Sequence, residues 1–459
     1  MTESSQLAPA PIGARGKAKG RLGVAFGRRF FILLLIGLVW IGPAWASPKY
    51  LLGMALWDVL VLVLWGIDLT RLPKPEQIEV RRLWHSTLQL REPAEAVLEF
   101  TNRGKTGVLL RAQEEIPTGL RKEIPEVNVQ VPGGGSQTAA YAVCPGERGD
   151  MNFGTTFLRY QSAWQIAERW ASASLKQTIR IYPNFQEAKK DTIYLIRSRQ
   201  IALEKRYKHH PGLGREFESL REYRESDEWR DICWSATARR AKLISKSYQI
   251  ERSQTVWLVL DAGRLLRTRV KGLSKLDYAV SAALSLAQVA LYSGDRVAML
   301  GYGRRILQRL PPGRGPRHVR ALLEGLALVR AEELEADHRR AMETLAVLQK
   351  RRSLVVWMTD LAETATMPEV IESAMQMAQR HLVLFTVIGQ QELRTMLKEQ
   401  PETARQMFRQ TAAMEIVQRR DLLLRRLRQH GALTLEVEPL KLSTAVVNQY
   451  LMAKDRSLV

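Results

Sequence analysis

Cysteine and histidine are the residue types that this sequence most clearly lacks. Its 459 residues include 2 Cys and 7 His. Cys144 and Cys233 have no partner at Cys-x-x-Cys spacing and no histidine at zinc-ligand spacing. These features argue against a disulfide framework and against a structural zinc site. Stability must come from burying hydrophobic residues, which make up 46% of the chain.

Motifs of the common enzyme classes are also missing. The chain has no Gly-x-Ser-x-Gly, no His-Glu-x-x-His and no phosphate-binding loop, and Gly301-Tyr302-Gly303 lacks the third glycine of a dinucleotide-binding turn. An aspartate-based phosphatase needs a second aspartate soon after the first, but Gly263 stands at that place after Asp261. We therefore expect a protein that is not an enzyme and has no cofactor.

Acidic residues are too few to balance the basic ones. The chain has 69 Lys and Arg against 47 Asp and Glu, a formal net charge of +22. This excess favours a partner with phosphates, either nucleic acid or an anionic lipid surface. The basic stretch at residues 419–428 interleaves Arg with Leu, which is typical of a packed amphipathic helix. We therefore expect no specific nucleic acid as a partner. Electrostatic binding of an anionic membrane surface or of nucleic acid is the alternative function.

Two apolar stretches near the N-terminus predict a membrane anchor. Residues 30–46 carry no charge, and residues 50–67 carry only Asp58. At 1.5 Å per residue they reach about 25 to 27 Å, close to the thickness of a bilayer core. Basic residues flank both outer ends, so the positive-inside rule predicts a multi-pass protein of the bacterial inner membrane with both termini and the soluble domains cytoplasmic. A cleavable signal peptide ending near residues 44–46 is the competing interpretation.

The apolar periodicity after the anchor predicts an α/β protein in several parts. Short alternating stretches separated by turns predict a β-sandwich. Farther along, strands alternate with helices, which predicts a doubly wound, mostly parallel sheet with helices on both faces. The predicted order is a disordered basic tail (1–27), a transmembrane hairpin (28–69), a β-sandwich domain (76–185), a connecting helix with a signature segment (186–254) and an α/β domain with a C-terminal helical extension (255–459).

Two short apolar strands end on aspartates. Residues 256–260 lead into Asp261, and residues 354–358 lead into Thr359 and Asp360. Both runs are apolar throughout, as strands buried on both faces are. Ligands bind outside the carboxyl ends of such strands, and carboxylate and hydroxyl oxygens suit magnesium. The sequence therefore predicts a candidate metal site at Asp261, Thr359 and Asp360.

The segment at residues 214–239 carries the most specific motif. Its aromatic, acidic and arginine residues recur at fixed offsets, among them Tyr223, Asp227, Arg230, Trp234 and Arg239. Together with residues 275–278, 294–297 and 352–356, this pattern closely resembles the domain of unknown function 58 family. The sequence departs from the family at Ser226, where glycine is usual, and at Cys233, where aspartate is usual.

The resemblance implies an architecture and a partner. It implies that the chain combines a transmembrane hairpin, a β-sandwich and a von Willebrand factor A-like domain. The resemblance further implies work with a MoxR-type AAA+ ATPase in assembling or maturing envelope or other protein complexes. The signature residues and Gly263 are then expected to form a protein-docking surface, or alternatively a brace between domains.

The resemblance also weakens the predicted metal site. In A-like domains that bind metal, the first strand ends in Asp-x-Ser-x-Ser, whereas here Gly263 and Leu265 take the places of both serines. Two direct ligands of a magnesium ion are missing, so we expect a degenerate site that is more often empty than filled. In its place, we expect Asp261 to cap backbone donors in its loop and to pair with Arg264, Arg267 or Arg269.

These inferences converge on a membrane-anchored, non-enzymatic interaction or scaffold protein. The expected partners are the membrane, through two helices, an AAA+ ATPase and other envelope proteins. A metal-dependent hydrolase is the least favoured alternative.

Overall fold

The computed structural model describes residues 13–19, 23–47, 49–120, 123–184, 216–224, 229, 232–249, 254–360, 368–389, 391–398 and 400–456. The chain divides into two compact units, Met1–Asn184 (unit 1) and Phe185–Val459 (unit 2). Unit 1 combines apolar helices with a large antiparallel sheet, and unit 2 alternates strands with helices. The mixed α/β class predicted from the sequence is confirmed.

Unit 1 is built on nine antiparallel strands. They are Gly13–Lys19 (β1), Val24–Phe26 (β2), Ile78–Trp84 (β3), Ala94–Asn102 (β4), Val108–Glu114 (β5), Glu126–Val131 (β6), Ser136–Val143 (β7), Gly149–Gln161 (β8) and Ala167–Ile181 (β9). Their order is β6-β5-β8-β9-β1-β3-β4-β7, and β2 also pairs with β9. Buried residues alternate with more exposed ones along β4 and β5, because successive side chains of a strand point to opposite faces.

Buried residues on one half of the sheet (β3, β4 and β7) form a hydrophobic cluster together with residues on the other half (β5, β8 and β9). A buried ion pair between Arg82 and Glu114 crosses the core, and Arg82 also donates to the carbonyl oxygen of Leu175 at 3.0 Å. The Tyr141 hydroxyl donates to Glu114. Burial, and then the Glu114 charge, raise the pKa of Tyr141. Each buried charge thus has a partner within the core.

The basic N-terminal segment forms strands, so the predicted disorder of residues 1–27 is wrong where the structure describes them. Strand β1 pairs with both β3 and β9 and joins the two halves of the sheet. Its basic residues alternate with Gly and Ala, and Arg15 forms an ion pair with Glu79. A Cβ at Gly16 would lie 2.7 Å from the carbonyl oxygen of Ser174. The small residues therefore let β1 approach its neighbours closely, a feature hidden by the high charge.

The helices that follow β2 are apolar and largely exposed. They are Arg28–Gly37 (α1), Ile41–Ala46 (α2) and Tyr50–Arg71 (α3). Among the described residues, one segment, Tyr50–Gln77, is long and apolar enough to cross a membrane. The Trp57 Nε1–H group of α3 donates to the carbonyl oxygen of Leu33 in α1 at 2.8 Å, so α3 packs against α1. One candidate span is found where the sequence predicted two.

Unit 2 contains a six-stranded sheet. Its strands are Thr255–Asp261 (β12), Arg296–Tyr302 (β15), Ile306–Gly313 (β16), Leu354–Thr359 (β17), Leu382–Ile388 (β18) and Leu433–Val437 (β19). Their order is β16-β15-β12-β17-β18-β19, and all pairs are parallel except the edge pair β15–β16. Strands β17 and β18 are buried along their whole length, because helices cover both faces of a parallel sheet.

Helices pack on both faces of this sheet. They are Lys275–Tyr292 (α5), Pro316–Leu328 (α6), His338–Leu348 (α7), Pro368–Arg380 (α8), Gln391–Lys398 (α9), Ala404–Gln429 (α10) and Leu442–Asp455 (α11). One hydrophobic cluster contains residues of α5, α6 and α11, and a separate cluster contains residues of α7, α8 and α10. The sheet separates the two clusters, so the helices form two layers.

Strand β16 was not predicted from the sequence. It contains Pro311 and Pro312, which cannot donate backbone hydrogen bonds. At the sheet edge only one side of the strand needs to pair, so prolines are tolerated there. Strand β16, which pairs antiparallel with β15, has no continuous apolar run, so the sequence pattern did not indicate it.

The signature segment forms a small separate element of unit 2. Strand Glu216–Glu222 (β10) pairs with Ile244–Gln249 (β11) in an antiparallel two-stranded sheet, and helix Trp234–Arg240 (α4) lies between them in the chain. Two short strands, Arg269–Val270 (β13) and Leu273–Ser274 (β14), form a hairpin before α5. The connecting helix that the sequence predicts before the signature segment lies outside the described residues.

Candidate functional site

The two aspartates predicted from the strand pattern meet at the carboxyl edge of the sheet. Asp261 is the last residue of β12, and Asp360 directly follows β17, its parallel neighbour. Both side chains are almost fully buried, with relative exposures of 3% for Asp261 and 1% for Asp360. A ligand in solvent cannot reach them as they stand, so their partners within the protein determine what the site can do.

Asp261 is held by hydrogen bonds from its own loop and from β17. Its Oδ1 accepts from the backbone N–H group of Gly263 at 2.7 Å, and its Oδ2 accepts from the Thr359 hydroxyl at 2.7 Å. The expected capping of a loop donor is confirmed. Of the proposed arginine partners, Arg264 pairs with Glu335 at 3.1 Å and Arg267 pairs with Glu333 at 2.9 Å. These two arginines thus bind exposed glutamates.

Asp360 is neutralised by cations from both helix layers. The Lys275 ammonium, at the first residue of α5, lies 2.5 Å from Asp360 Oδ2, and both side chains have 0% exposure. The Arg420 guanidinium, on α10, lies 3.8 Å from Asp360 Oδ1. Lys275 also donates to the carbonyl oxygen of Ile388 at 3.3 Å, which ties α5 to the end of β18. This cluster of Asp360, Lys275 and Arg420 fastens helices from both layers to the sheet edge.

Arg420 links this cluster to a second carboxylate, that of Glu436. Its NH1 group lies 3.2 Å from Glu436 Oε1 on β19, while its Nε and NH2 atoms are buried and have no hydrogen-bond partner among the described residues. Removing one member of a buried ion network leaves the others uncompensated, which strongly destabilises a fold. The cluster therefore holds the carboxyl edge in one arrangement.

A chain of aromatic and histidine side chains lies beside Asp261. The Trp357 Nε1–H group donates to the Tyr302 hydroxyl at 2.8 Å, and that hydroxyl lies 2.8 Å from His338 Nδ1. Burial lowers the pKa of His338, although the Asp261 charge opposes this shift. A neutral imidazole has one donor and one acceptor nitrogen, so the tautomer of His338 sets the direction of this hydrogen bond. Burial raises the pKa of Asp261, and the nearby His338 lowers it.

The residues at this edge do not fit a magnesium ion. The Thr359 hydroxyl donates to Asp261, and the Lys275 ammonium lies against Asp360, so the principal oxygens already have partners. A Cβ at Gly263 would lie 2.9 Å from the backbone nitrogen of Ala336 and 3.1 Å from Asp261 Oδ1, which leaves no room for a serine side chain. Among the described residues, no group of three or more His, Cys, Asp or Glu could hold a metal ion.

The described signature residues belong to the β10–β11 hairpin and α4. Tyr223 follows β10, where its ring lies 6.0 Å from that of Trp229, and its N–H group donates to the carbonyl oxygen of Leu243 at 2.9 Å. Trp234 and Arg239 lie exposed on α4. Asp227 and Arg230 lie outside the described residues. Among the described residues that were predicted for docking, Gly263 lies at the sheet edge, where it donates to Asp261.

Sequence reasoning missed the residues that neutralise the site. Lys275 starts α5 directly after its N-cap Ser274, and Arg420 lies in the stretch that was interpreted as a packed amphipathic helix. Lysine is rarely buried, so its position at a helix start suggested solvent exposure. One sequence signal could have indicated them. Two carboxylates at a buried sheet edge need cationic partners, and basic residues within otherwise apolar helix faces are candidates for that role.

Part of the chain matches one family model. Residues 219–419 match the model of the family described as "Protein of unknown function DUF58". The chain is 23% identical to the uncharacterized protein YeaD of Bacillus subtilis over 215 residues, which cover 46% of this chain and 50% of YeaD. It is 26% identical to the uncharacterized protein Mb1516 of Mycobacterium bovis over 152 residues, or 33% of this chain and 48% of Mb1516. The chain thus spans about half the length of these relatives.

Two solved structures share a distant likeness. The hypothetical protein BatB from Bacteroides thetaiotaomicron superposes with a TM-score of 0.30 and 14% identity over 44% of this chain and 100% of that chain. Proximal thread matrix protein 1 from the mussel byssus gives a TM-score of 0.29 and 12% identity over 43% of this chain and 46% of that chain. The similarity of this chain to known proteins therefore rests on the sequence match of residues 219–419 to the DUF58 family model.

Proposed function

We propose that this protein is a membrane-anchored, non-enzymatic interaction protein whose unit 2 is a von Willebrand A-like domain that works without a metal. The observation that carries the proposal is the buried ion cluster of Asp360, Lys275 and Arg420. A lysine ammonium takes the position at which a metal-dependent domain would need an open ligand. The carboxyl edge is then a fixed scaffold, and partners bind to surfaces around it.

The anchor in this proposal is a two-helix hairpin made of the α1–α2 segment and α3. Exposed apolar side chains cover both parts, including Leu35, Val39, Leu52 and Leu56. Contacts between Trp57 and Leu33 support the pairing of the two segments. With both outer ends basic, the hairpin would place unit 1 and unit 2 in the cytoplasm of a bacterial cell.

The docking surface in this proposal is the exposed part of α9 and α10, here called the α9–α10 surface and defined by Met396, Met407, Phe408 and Met414. Phe408 is 77% exposed, and the three methionines are 38% to 60% exposed. Gln410 of α10 donates to the carbonyl oxygen of Met396 at 3.4 Å, which holds the two helices together. Flexible methionines and an exposed aromatic ring suit protein contacts.

The proposed partner is a MoxR-type AAA+ ATPase that presents an acidic, partly apolar surface. Arg405 and Arg409 are exposed on α10 beside Met407 and Phe408. Opposite charges around an apolar centre guide association and fix orientation, while the centre supplies most of the affinity. The role in assembling or maturing protein complexes rests on the family resemblance.

Affinity capture from solubilised membranes tests this function. Wild-type chain is expected to recover an AAA+ ATPase, in EDTA as well as in magnesium. The Met407→Asp/Phe408→Asp variant should lose the ATPase, because charge in the apolar centre opposes burial. Val347→Asp is the matched control, since Val347 is 74% exposed on α7 and outside the surface. Recovery of no ATPase by the wild type contradicts the proposed partner.

An electrostatic binder remains the second candidate, favoured by the exposed arginines of α10, among them Arg405, Arg409, Arg425 and Arg426. Binding of duplex nucleic acid by the chain in nanodiscs, with an affinity that falls steeply from low to moderate salt, would support this candidate. The salt-resistant capture of a protein partner supports docking instead.

A further inference from the structure

The turn between β8 and β9 is fastened to the C-terminal end of the apolar helix α3. Asp68, which is fully buried near the end of α3, accepts a hydrogen bond from the Ser162 hydroxyl at 2.5 Å. It also accepts from the backbone N–H groups of Ile166 at 3.2 Å and Ala167 at 2.8 Å. A buried carboxylate with three donors fixes the turn against the helix end.

The same turn also holds the start of α1. The backbone N–H group of Gly27 donates to the carbonyl oxygen of Ile166 at 2.7 Å. A Cβ at Gly27 would lie 2.2 Å from the carbonyl oxygen of Gln165, so only glycine allows this approach. The two apolar helical segments therefore leave the sheet of unit 1 beside a single turn, at a level that the turn fixes.

Trp164 lies at the tip of this turn between two arginines. The Arg71 guanidinium lies 4.3 Å from the centre of the Trp164 ring, and the Arg29 side chain donates to the Trp164 carbonyl oxygen at 3.4 Å. The Trp164 side chain is still 39% exposed. Arg71 ends α3 and Arg29 lies in the first turn of α1, so both cations lie where the apolar segments meet the rest of the unit.

The helix length fixes the depth of this turn if α3 crosses the membrane. Residues 50–67 of α3 extend about 27 Å, close to the thickness of the hydrocarbon core, so Asp68 and Arg71 reach the headgroup layer. Tryptophan rings concentrate at this layer, and arginine side chains bind phosphate oxygens there. The exposed apolar surface is continuous up to this level, since Phe31 and Ile67 are 54% and 41% exposed.

We propose that the β8–β9 turn is a lipid-contact site, with Trp164 inserted among the headgroups and Arg29 and Arg71 bound to lipid phosphates. The proposal rests on the membrane anchor of the proposed function. It assigns the turn to the lipid–water interface rather than to a soluble partner, because the ends of both apolar segments grip the turn. The β-sheet of unit 1 is then seated on the membrane surface at a fixed height.

Nitroxide depth measurement on the full chain in nanodiscs of anionic and zwitterionic lipid tests this proposal. Cys144→Ser and Cys233→Ser remove the native thiols, and single cysteines are introduced by Ala163→Cys in the turn, Leu56→Cys within α3 and Asn128→Cys on β6. Oxygen and nickel-chelate accessibilities should place the label at 56 in hydrocarbon, the label at 163 at headgroup depth and the label at 128 in water. A label at 163 as exposed to water as the label at 128, while the label at 56 lies in lipid, overturns the lipid contact and leaves the anchor intact.

Water exposure of the label at 56 as well would instead overturn the anchor and this inference together. A second variant isolates the ring of Trp164. In the Ala163→Cys chain, Trp164→Ser should shift the label towards water by about 5 Å, because the turn loses its interfacial side chain. Trp170→Ser is the matched control, since Trp170 is 40% exposed on β9 and pairs with Arg159. Equal depths in all three chains would contradict the role of Trp164.

Discussion

Asp68 in unit 1 and Asp360 in unit 2 are both buried carboxylates, but their partners differ in kind. Asp68 accepts hydrogen bonds from one hydroxyl and two backbone N–H groups. Asp360 lies against the ammonium of Lys275 and the guanidinium of Arg420. Loss of one neutral donor leaves Asp68 with two others, whereas loss of Asp360 leaves two cations buried. The second arrangement therefore tolerates change less well than the first.

The difference matches the task of each site. The bonds of Asp68 join one helix end to one turn, so they fix the height and angle of a local contact. The ion cluster of Asp360 joins helices from opposite layers to neighbouring strand ends, so it holds the whole carboxyl edge of the sheet. The Asp360 carboxylate is thus engaged by Lys275 and Arg420, and this engagement stabilises the fold.

The largest expected effect comes from breaking the ion cluster. Asp360→Ala should lower the free energy of unfolding of unit 2 by about 3 to 5 kcal/mol, because the buried Lys275 loses the Asp360 carboxylate and Arg420 keeps only Glu436 of its two carboxylates. Urea unfolding of the detergent-solubilised chain, followed by hydrogen exchange in β17 and β18, measures this. Lys275→Met combined with Asp360→Leu should recover part of the loss, since both charges of the closest pair are then removed. The control Glu333→Gln, which breaks an exposed pair with Arg267, should change stability by less than about 1 kcal/mol.

A smaller effect is expected at the neutral network. Asp68→Ala leaves the Ser162 hydroxyl and two backbone N–H groups without their acceptor, so it should destabilise the β8–β9 turn by about 3 kcal/mol. Hydrogen exchange of the Ile166 and Ala167 amides should become faster. Thr70→Ala is the control, because the Thr70 hydroxyl bonds only within its own helix end, to Ile67. Unchanged exchange in Asp68→Ala would contradict the proposed role of the buried carboxylate.

The third effect concerns the expected absence of metal binding. Gly263→Ser restores one serine of the Asp-x-Ser-x-Ser pattern, but its Cβ would crowd the backbone of Ala336. The variant should lose about 1 to 3 kcal/mol of stability, as overpacked sites do. Calorimetric titration with magnesium should show no binding heat in either the wild type or the variant. Gly263→Ala separates crowding from ligation, and magnesium heat that vanishes in Asp261→Ala would contradict the proposed metal independence.

The location of the site follows from local sequence patterns. Five consecutive apolar residues before Asp261, and five before Thr359, are a local signal of strands buried on both faces. Parallel strands then bring their carboxyl ends to one edge, so the meeting of Asp261 and Asp360 needs no distant information. The alternating residues of β4 and β5 indicated an antiparallel sheet for the same local reason.

The partners of the carboxylates depend on distant residues instead. Lys275 lies 85 positions before Asp360, and no local pattern indicates that a lysine at a helix start points into the sheet edge. The fit at Gly263 depends on Ala336, which belongs to another loop. Strand β1 shows the same limit, because its pairing depends on neighbours that accept a close approach, while its composition suggested a solvated tail.

The smallest effect distinguishes the two carboxylate sites by pH. His338 lies beside Asp261, with Asp337 and Glu335 also near, and burial lowers its pKa below the ordinary value. The unfolded chain therefore takes up a proton more readily than the folded chain, so stability should fall as the pH drops through about 6.5. Burial raises the pKa of Asp261, so its contribution has the opposite sign and is lost as the pH rises through its folded pKa. Urea unfolding of unit 2 at pH 7 and pH 5.5 should show a smaller pH-dependent loss of stability in His338→Gln than in the wild type.

His430→Gln is the control, because His430 is an exposed histidine of the same unit. This variant should lose as much stability between pH 7 and pH 5.5 as the wild type does. The stability of the β8–β9 turn held by Asp68, measured by amide hydrogen exchange, should not change in parallel with that of unit 2. An identical slope in wild type and His338→Gln would mean that the histidine beside Asp261 does not couple this edge to protons.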